Sequence, residues 1–353
     1  MEKKIRVLHV LVSNQFSGAE NVVCQIINMF RQEDKIEMIY CSPDGPIRDA
    51  LSDRGVVFAP MKAATPAELK RVISETKPTV IHAHDMRASF LTALTCGKIP
   101  FVSHIHNNNF DSRRPTVKAV LFRMAAWKAK HVFWVSEAAR KGYYFCKGLE
   151  AKSSVLYNVI DVNQLRQKAD AAEKRDAYDI VYLGRLTYPK HPERLIEVLD
   201  EIVRRNPKIT AAIIGSGDLE QQTLQEIEKR GLNKNVHALG FMTNPYGILK
   251  NAKVMIMTSR WEGLPMCALE SLALGVPIVS TPTDGLRELI VPGKTGFLSD
   301  DNGEMAEKII ECVEDSELRA KLSANINAQI EKLMNISAYR DRLLKQYSRR
   351  SIE

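Results

Sequence analysis

What most limits the fold of this chain is a repeated pair of signals: a short uninterrupted apolar run, then a stretch of helical character. Apolar runs fall at residues 5–12, 38–41, 56–60, 79–83, 131–135, 180–183, 210–214 and 254–257. A run without polar alternation suits a strand buried on both faces, and strand-helix alternation predicts open parallel sheets. At 353 residues the chain exceeds a usual single core, which predicts two domains. No apolar run approaches the roughly 18 to 20 residues of a membrane span, and the apolar segment near the start is too short for a signal peptide. The expectation is a cytoplasmic protein. Six cysteines without a C-x-x-C pair predict reduced, buried thiols and no metal site.

Within this frame the stretch 258–280, TSRWEGLPMCALESLALGVPIVS, carries the most chemistry. A buried strand at 254–257 leads into the turn Glu262-Gly263-Leu264-Pro265, and Pro265 suits the first position of the helix that follows. The backbone N–H groups of Leu264, Met266 and Cys267, at the positive end of the helix dipole, would seat a phosphate. Glu270 lies eight positions after Glu262 on that helix. Ionised carboxylates only accept hydrogen bonds, so two of them suit a polyhydroxyl ligand.

The segment EGLPMCALESLALGVPIV resembles the signature of retaining family-4 glycosyltransferases of the GT-B fold, E-G-x-P-x-x-x-x-E followed by A-x-G-x-P-V/I-V. The match takes in Glu262, Gly263, Pro265, Glu270, Ala273, Gly275 and Pro277. The resemblance implies an α/β chain of two Rossmann-like domains whose parallel sheets face a central cleft. Residues 1–165 would form the acceptor-side domain, 166–177 a linker and 178–335 the nucleotide-sugar domain. A terminal helix at about 336–353 would pack back on the first domain.

In the first half, SGAEN resembles the family's loop against the donor sugar and diphosphate, with Gly18 allowing close approach and a helix from near Asn21. An ordinary loop glycine is the alternative. His84, Asp85 and His106 fall at strand ends, where open α/β sheets bind ligands, whereas His82 reads as structural. The resemblance implies that His106 is an active-site histidine near the sugar, with His104 as the competing candidate. Residues 1–172 carry a net charge of +9 and the remainder −1. Residues 113–152 hold ten basic residues and two acids, interleaved with Phe122, Trp127, Phe133, Trp134 and Tyr143, and a basic amphipathic helix is predicted over 113–130. Such a surface suggests phospholipid headgroups or a lipid pyrophosphate. Aromatics turned into the core are the alternative, and nucleic acid is disfavoured because no binding motif accompanies the charge.

In the second half, the strand at 180–183 ends in Gly184-Arg185 and a helix starts near Pro192. Arg185 and Lys190 could therefore offset a diphosphate, in the ground state and as a leaving group. The turn Gly215-Ser216-Gly217-Asp218-Leu219-Glu220 lacks the third glycine of a dinucleotide fingerprint, but it remains a nucleotide-facing turn. The segment containing Leu239 resembles the one whose backbone holds the nucleobase. Asp300-Asp301 reads as a turn before a helix rather than a metal site.

The resulting expectation is metal-independent, retaining transfer of a hexose from a nucleoside diphosphate sugar, with UDP-sugar as the expected donor and no resident cofactor. His106, Arg185, Lys190 and Glu262 would act on the reacting groups. Gly18, Gly184, Gly215, Leu239, Gly263, Leu264, Pro265, Met266 and Glu270 would bind the donor. The acceptor would be a lipid-linked glycan of capsule, exopolysaccharide or lipopolysaccharide assembly, met at the inner face of the membrane. The alternatives are a nucleotide-sugar epimerase of the same fold or a catalytically silent nucleotide-sugar-binding subunit.

Overall fold

The structure, a computed structural model, describes residues 4–107, 110–172 and 177–348. The chain divides into two compact units, Met1–Asn158 with Ile336–Glu353, and Val159–Asn335.

In the first unit the order is β1 (Ile5–Val10), α1 (Gly18–Met29), β2 (Ile36–Cys41), α2 (Ile47–Ser52), α3 (Pro66–Thr76), β3 (Val80–His84), α4 (Asp85–Thr95), β4 (Phe101–Ile105), α5 (Val117–Lys128), β5 (His131–Trp134), α6 (Glu137–Gly142) and β6 (Ser153–Val155). The strands pair in parallel in the order β2-β1-β3-β4-β5-β6. The winding direction therefore reverses between β1 and β3, the place where open α/β sheets leave a crevice at their carboxyl ends.

Three local expectations change. Residues 56–60 form no strand: Phe58 makes one bridge to Tyr40 at the edge of β2, and Met61 one to Pro43 just beyond that strand; Val57 faces solvent and Pro60 has no N–H to pair. The basic helix runs Val117–Lys128 rather than 113–130, because Pro115 disfavours helix before it and Thr116 caps the new start by accepting from the Ala119 N–H. Helix α1 starts at Gly18 rather than near Asn21, behind an extended Ser17 whose hydroxyl donates to Glu20 at 2.5 Å.

The second unit runs α7 (Val162–Asp170), β7 (Ile180–Leu183), α8 (Pro192–Arg205), β8 (Ala211–Ile214), α9 (Glu220–Lys229), β9 (Val236–Gly240), α10 (Tyr246–Asn251), β10 (Val254–Met257), α11 (Met266–Ala273), β11 (Ile278–Ser280), α12 (Asp284–Leu289), β12 (Gly296–Leu298), α13 (Asn302–Glu314) and α14 (Ser316–Leu333). Its parallel order is β12-β11-β10-β7-β8-β9, so the winding reverses between β7 and β10. The core lies between the sheet and its helices, with Ile180, Leu195, Leu199, Ile213 and Ile309 fully or almost fully buried.

The segment expected as linker begins as helix α7, capped by Asp161 and tied to α11 and α14 through Arg166, which donates to the Ala273 carbonyl and to Asn327. Its residues 173–176 lie outside the described residues. Helix α15 (Ile336–Tyr347) belongs to the first unit, where the Tyr347 hydroxyl lies 2.7 Å from His82 Nδ1 and Lys130 Nζ donates to the Gln346 and Ser348 carbonyls. The end of that expected helix, 349–353, lies outside the described residues.

Candidate active site

In the second unit the expected site residues gather where the winding reverses. Gly184 and Arg185 follow β7, and Ser259 to Glu262 follow β10, the neighbouring strand. Backbone contacts join the two loops: the Arg260 N–H donates to the Pro189 carbonyl at 2.8 Å, and the Thr258 hydroxyl to the carbonyls of Lys190 and His191. This places the Lys190 Nζ 2.5 Å from Glu262 Oε1, where the Ser259 hydroxyl also donates at 2.6 Å. The pair is largely buried, its side chains 16% and 10% exposed. Burial pulls the Lys190 ammonium toward its neutral form, but the Glu262 carboxylate outweighs it and the net shift is upward. Lys190 is therefore a fixed cation with two further N–H bonds to offer. The Arg185 guanidinium is exposed and makes no ion pair among the described residues.

Helix α11 starts directly behind this pair. Pro265 is its N-cap, one position earlier than expected, because ψ of 129° keeps it extended. Leu264 and Met266 are buried beneath the turn. Glu270, one turn along, is 7% exposed and accepts from the Tyr246 hydroxyl at 3.1 Å. Burial pushes its carboxyl up to about 7, against the lowering effect of the Tyr246 bond and Lys168. Leu239 lines a recess of about 530 Å³ with Phe241, Met242 and Ile248. Gly215 has a packing reason of its own: a Cβ there would lie 1.9 Å from the Gly184 carbonyl oxygen, and its φ of +140° disfavours any side chain. Gly18 is different, for a Cβ there would meet nothing within 4 Å.

In the first unit His9 on β1, His82 and His84 on β3, and His104 on β4 share one face of the sheet, and His106 follows at the end of β4. His104 and His106 thus do not point to opposite sides. His104 is wholly enclosed, whereas His106 is half-buried at the strand end. Burial lowers the pKa of all five, to about 3 for His9 and His106, so these imidazoles are neutral. Asp85, in the left-handed region at φ 69°, accepts from the His106 N–H at 3.0 Å and holds the end of β4 in place. Burial raises its carboxyl to about 6.

Two family models account for these two units. The model described as glycosyltransferase family 4 matches residues 16–164, and that described as glycosyl transferases group 1 matches residues 163–329. The chain belongs to the glycosyltransferases. A curated relative, the UDP-Gal:alpha-D-GlcNAc-diphosphoundecaprenol alpha-1,3-galactosyltransferase of Escherichia coli, is 25% identical, with 98% of this chain and 97% of the relative covered. The capsular polysaccharide biosynthesis glycosyltransferase CapH of Staphylococcus aureus is 22% identical over 76% of this chain and 78% of the relative. Among solved structures, Alr3699/HepE of Anabaena in complex with UDP and glucose matches with a TM-score of 0.83 at 21% identity, covering 97% of this chain and 98% of that one. At such identity the likeness shows the fold alone, which is the GT-B architecture.

Sequence reasoning about this glycosyltransferase missed Ser259, Tyr246 and His9. Ser259 stands three positions before Glu262, a spacing that could have flagged it, and His9 is a polar residue inside an apolar strand. Nothing local marks Tyr246. The cationic aromatic surface needs the larger correction: Phe122, Phe133, Trp134 and Tyr143 are core residues, the rings of Phe122, Trp134 and Tyr143 packed against one another and that of Phe133 against His104 and His131. Trp127 is the member of that set that reaches solvent.

Proposed function

We propose that the glycosyltransferase moves a hexose, with retention, from a UDP-sugar to a lipid-linked glycan of a surface polysaccharide, without help from a metal ion. The Lys190–Glu262–Ser259 cluster beside Arg185 carries the reading. Arg185 and Lys190 supply positive charge for a diphosphate and for the phosphate that departs, a role that preorganised cations fill well in a site of low dielectric. Ser259 and Lys190 both bind Oε1 of Glu262, and no described residue bonds Oε2, which is left to accept from a sugar hydroxyl. Glu270, oriented by Tyr246, accepts from the ribose hydroxyls. Gly184, Gly215, Gly263 and the start of α11 at Pro265 and Met266 line the phosphates, and Leu239 the base. His106 and Gly18 are assigned to the sugar by the resemblance. Departing phosphate oxygen takes the acceptor's proton on the face from which it leaves.

The names of the Escherichia coli and Staphylococcus aureus relatives support a diphosphate-lipid acceptor and a polysaccharide product. Peripheral attachment to an anionic membrane is part of the same reading. Its support is the exposed face of α5, where Val117 (75% exposed), Val120 (42%), Met124 (61%) and Trp127 (78%) recur at helical spacing beside exposed Lys118, Arg123 and Lys128.

The test is a thermal-shift panel of nucleoside diphosphates, followed by transfer assays. UDP should raise the melting temperature in a concentration-dependent way, and Arg185→Ala should abolish that rise. Lys190→Ala should lower transfer at least a hundredfold. Transfer within a few fold of the parent in folded Lys190→Ala removes the leaving-group assignment. Release of UDP without an acceptor would point instead to an epimerase.

A further inference from the structure

The second-unit loops that carry Lys190 and Glu262 also carry Tyr188, Arg260 and Trp261. Tyr188 opens the single 3-10 turn Tyr188–Lys190, and Arg260 and Trp261 directly precede Glu262. The Arg260 guanidinium stands over the Tyr188 ring, 4.4 Å from its centroid, and the Trp261 ring lies 5.8 Å from the same ring at an angle of 58°. Arg260 is pinned twice more. Its backbone N–H donates to the Pro189 carbonyl at 2.8 Å, and its Nε donates to the Tyr188 carbonyl at 3.2 Å.

A stack that served only to join the two loops would need neither exposure nor unpaired donors, and this one has both. Tyr188 is 57% exposed, Arg260 is exposed and Trp261 is half-buried. Other exposed arginines of this unit, Arg204, Arg205 and Arg230, are paired with carboxylates. Arg260 makes no ion pair among the described residues, and its terminal nitrogens, the Tyr188 hydroxyl and the Trp261 indole N–H have no protein partner there. A guanidinium held by a ring and an Nε bond has little freedom left to lose, and its remaining N–H groups form the fork that phosphate and carboxylate oxygens accept. Tyrosine, tryptophan and arginine are also the side chains on which recognition energy concentrates. We propose that Tyr188, Arg260 and Trp261 form a subsite for an anionic group of the acceptor, Arg260 receiving the charge and the rings the apolar part beside it. The subsite rests on the assignment of Glu262 to the donor sugar: consecutive Cα atoms stand about 3.8 Å apart, so Trp261 adjoins that sugar, and an acceptor attacking it brings its next group over Arg260. Two sources share this chemistry, the diphosphate that joins a glycan to its lipid and the carboxylate of an acidic sugar.

Octyl diphosphate, octyl glucuronide and octyl glucoside, probes with one tail and different heads, test this by calorimetric titration into the full chain saturated with UDP, which fills the donor's phosphate seat. At least one anionic probe should bind about tenfold more tightly than octyl glucoside, the worth of a charge-assisted hydrogen bond. Preference for the diphosphate identifies the lipid linkage as the source of the charge, and preference for the glucuronide an acidic sugar. Arg260→Gln should remove the preference and leave UDP affinity unchanged, because the backbone bond to Pro189 survives the substitution. Should Arg260→Gln fail to fold, Arg260→Lys, which keeps the charge without the fork, should weaken the preferred probe several-fold. Tryptophan emission should shift with the preferred probe in the parent and not in Trp261→Phe, a response that a merely structural stack does not give. Equal binding of the three probes by the parent, or a preference retained in Arg260→Gln, overturns the inference. If UDP itself does not bind, the donor reading falls, and the same comparison made without UDP still decides the subsite.

Discussion

Glu262 and Glu270 are both buried carboxylates, yet their surroundings give them opposite character. Glu262 has a cation at 2.5 Å, whereas Glu270 has a neutral tyrosine, and burial therefore raises its carboxyl to about 7. Such a group is protonated in the folded chain but ionised in the unfolded one between about pH 4.5 and 7, so its cost to stability grows as pH rises through that window and is constant above it. Glu270→Gln keeps an acceptor for Tyr246 and should stabilise the protein at pH 8 by up to about 3 kcal/mol, with no gain below pH 4. Denaturation at the two pH values measures this. A ribose hydroxyl is best received by the ionised form, so UDP affinity in the parent should fall as pH drops from 8 to 6, and titration calorimetry would show it. The pattern of Glu262 and Glu270 was legible because the spacing falls within one local stretch. Ser259 and Tyr246 were not, since Tyr246 reaches Glu270 from a different helix.

At the scale of elements, the ends of β7 and β8 pack backbone on backbone, which is why Gly215 is glycine. Gly215→Ala should cost more than about 2 kcal/mol in denaturant unfolding, since a Cβ 1.9 Å from a carbonyl oxygen forces the two strands apart. Helix α5 shows the opposite situation, a face that no described residue of its own unit covers. Trp127→Ser with Met124→Ser should leave the melting temperature within about a degree and reduce sedimentation with anionic vesicles at low salt several-fold. Equal sedimentation of parent and variant would count against membrane attachment through this helix. The charge of α5 was readable in the sequence, but the direction of its aromatic neighbours was not. Phe122 is on the same helix as Trp127 yet faces inward, because burial depends on which side the sheet occupies.

For the whole molecule, five neutral histidines clustered on β1, β3 and β4 and just beyond β4, four of them buried, couple folding to acid. Each has its pKa lowered in the folded state, so nothing is lost above about pH 6.5, and stability falls as pH drops through the window toward about 3 while only the unfolded chain takes up protons. Urea denaturation between pH 7 and 5 should show this slope, and His9→Gln should reduce it by about one proton's worth. A slope unchanged in that variant would mean that His9 is not kept neutral by the fold.

The alternation of strands and helices, apart from the strand expected at 56–60, the loops at the strand ends and the Glu262-to-Glu270 motif were legible in the sequence itself, because apolar runs, prolines, glycines and helix caps act within a few residues. Tertiary structure alone decided that His9, His84 and His106 form one line and that Lys190 meets Glu262 across 72 positions. It also decided that four of the five aromatics at 122–143 are core and that residues 166–170, expected as linker, belong to a helix. Parallel strands adjacent in a sheet are distant in the chain, so which side chains meet is set by strand order and register, and no local pattern carries that information.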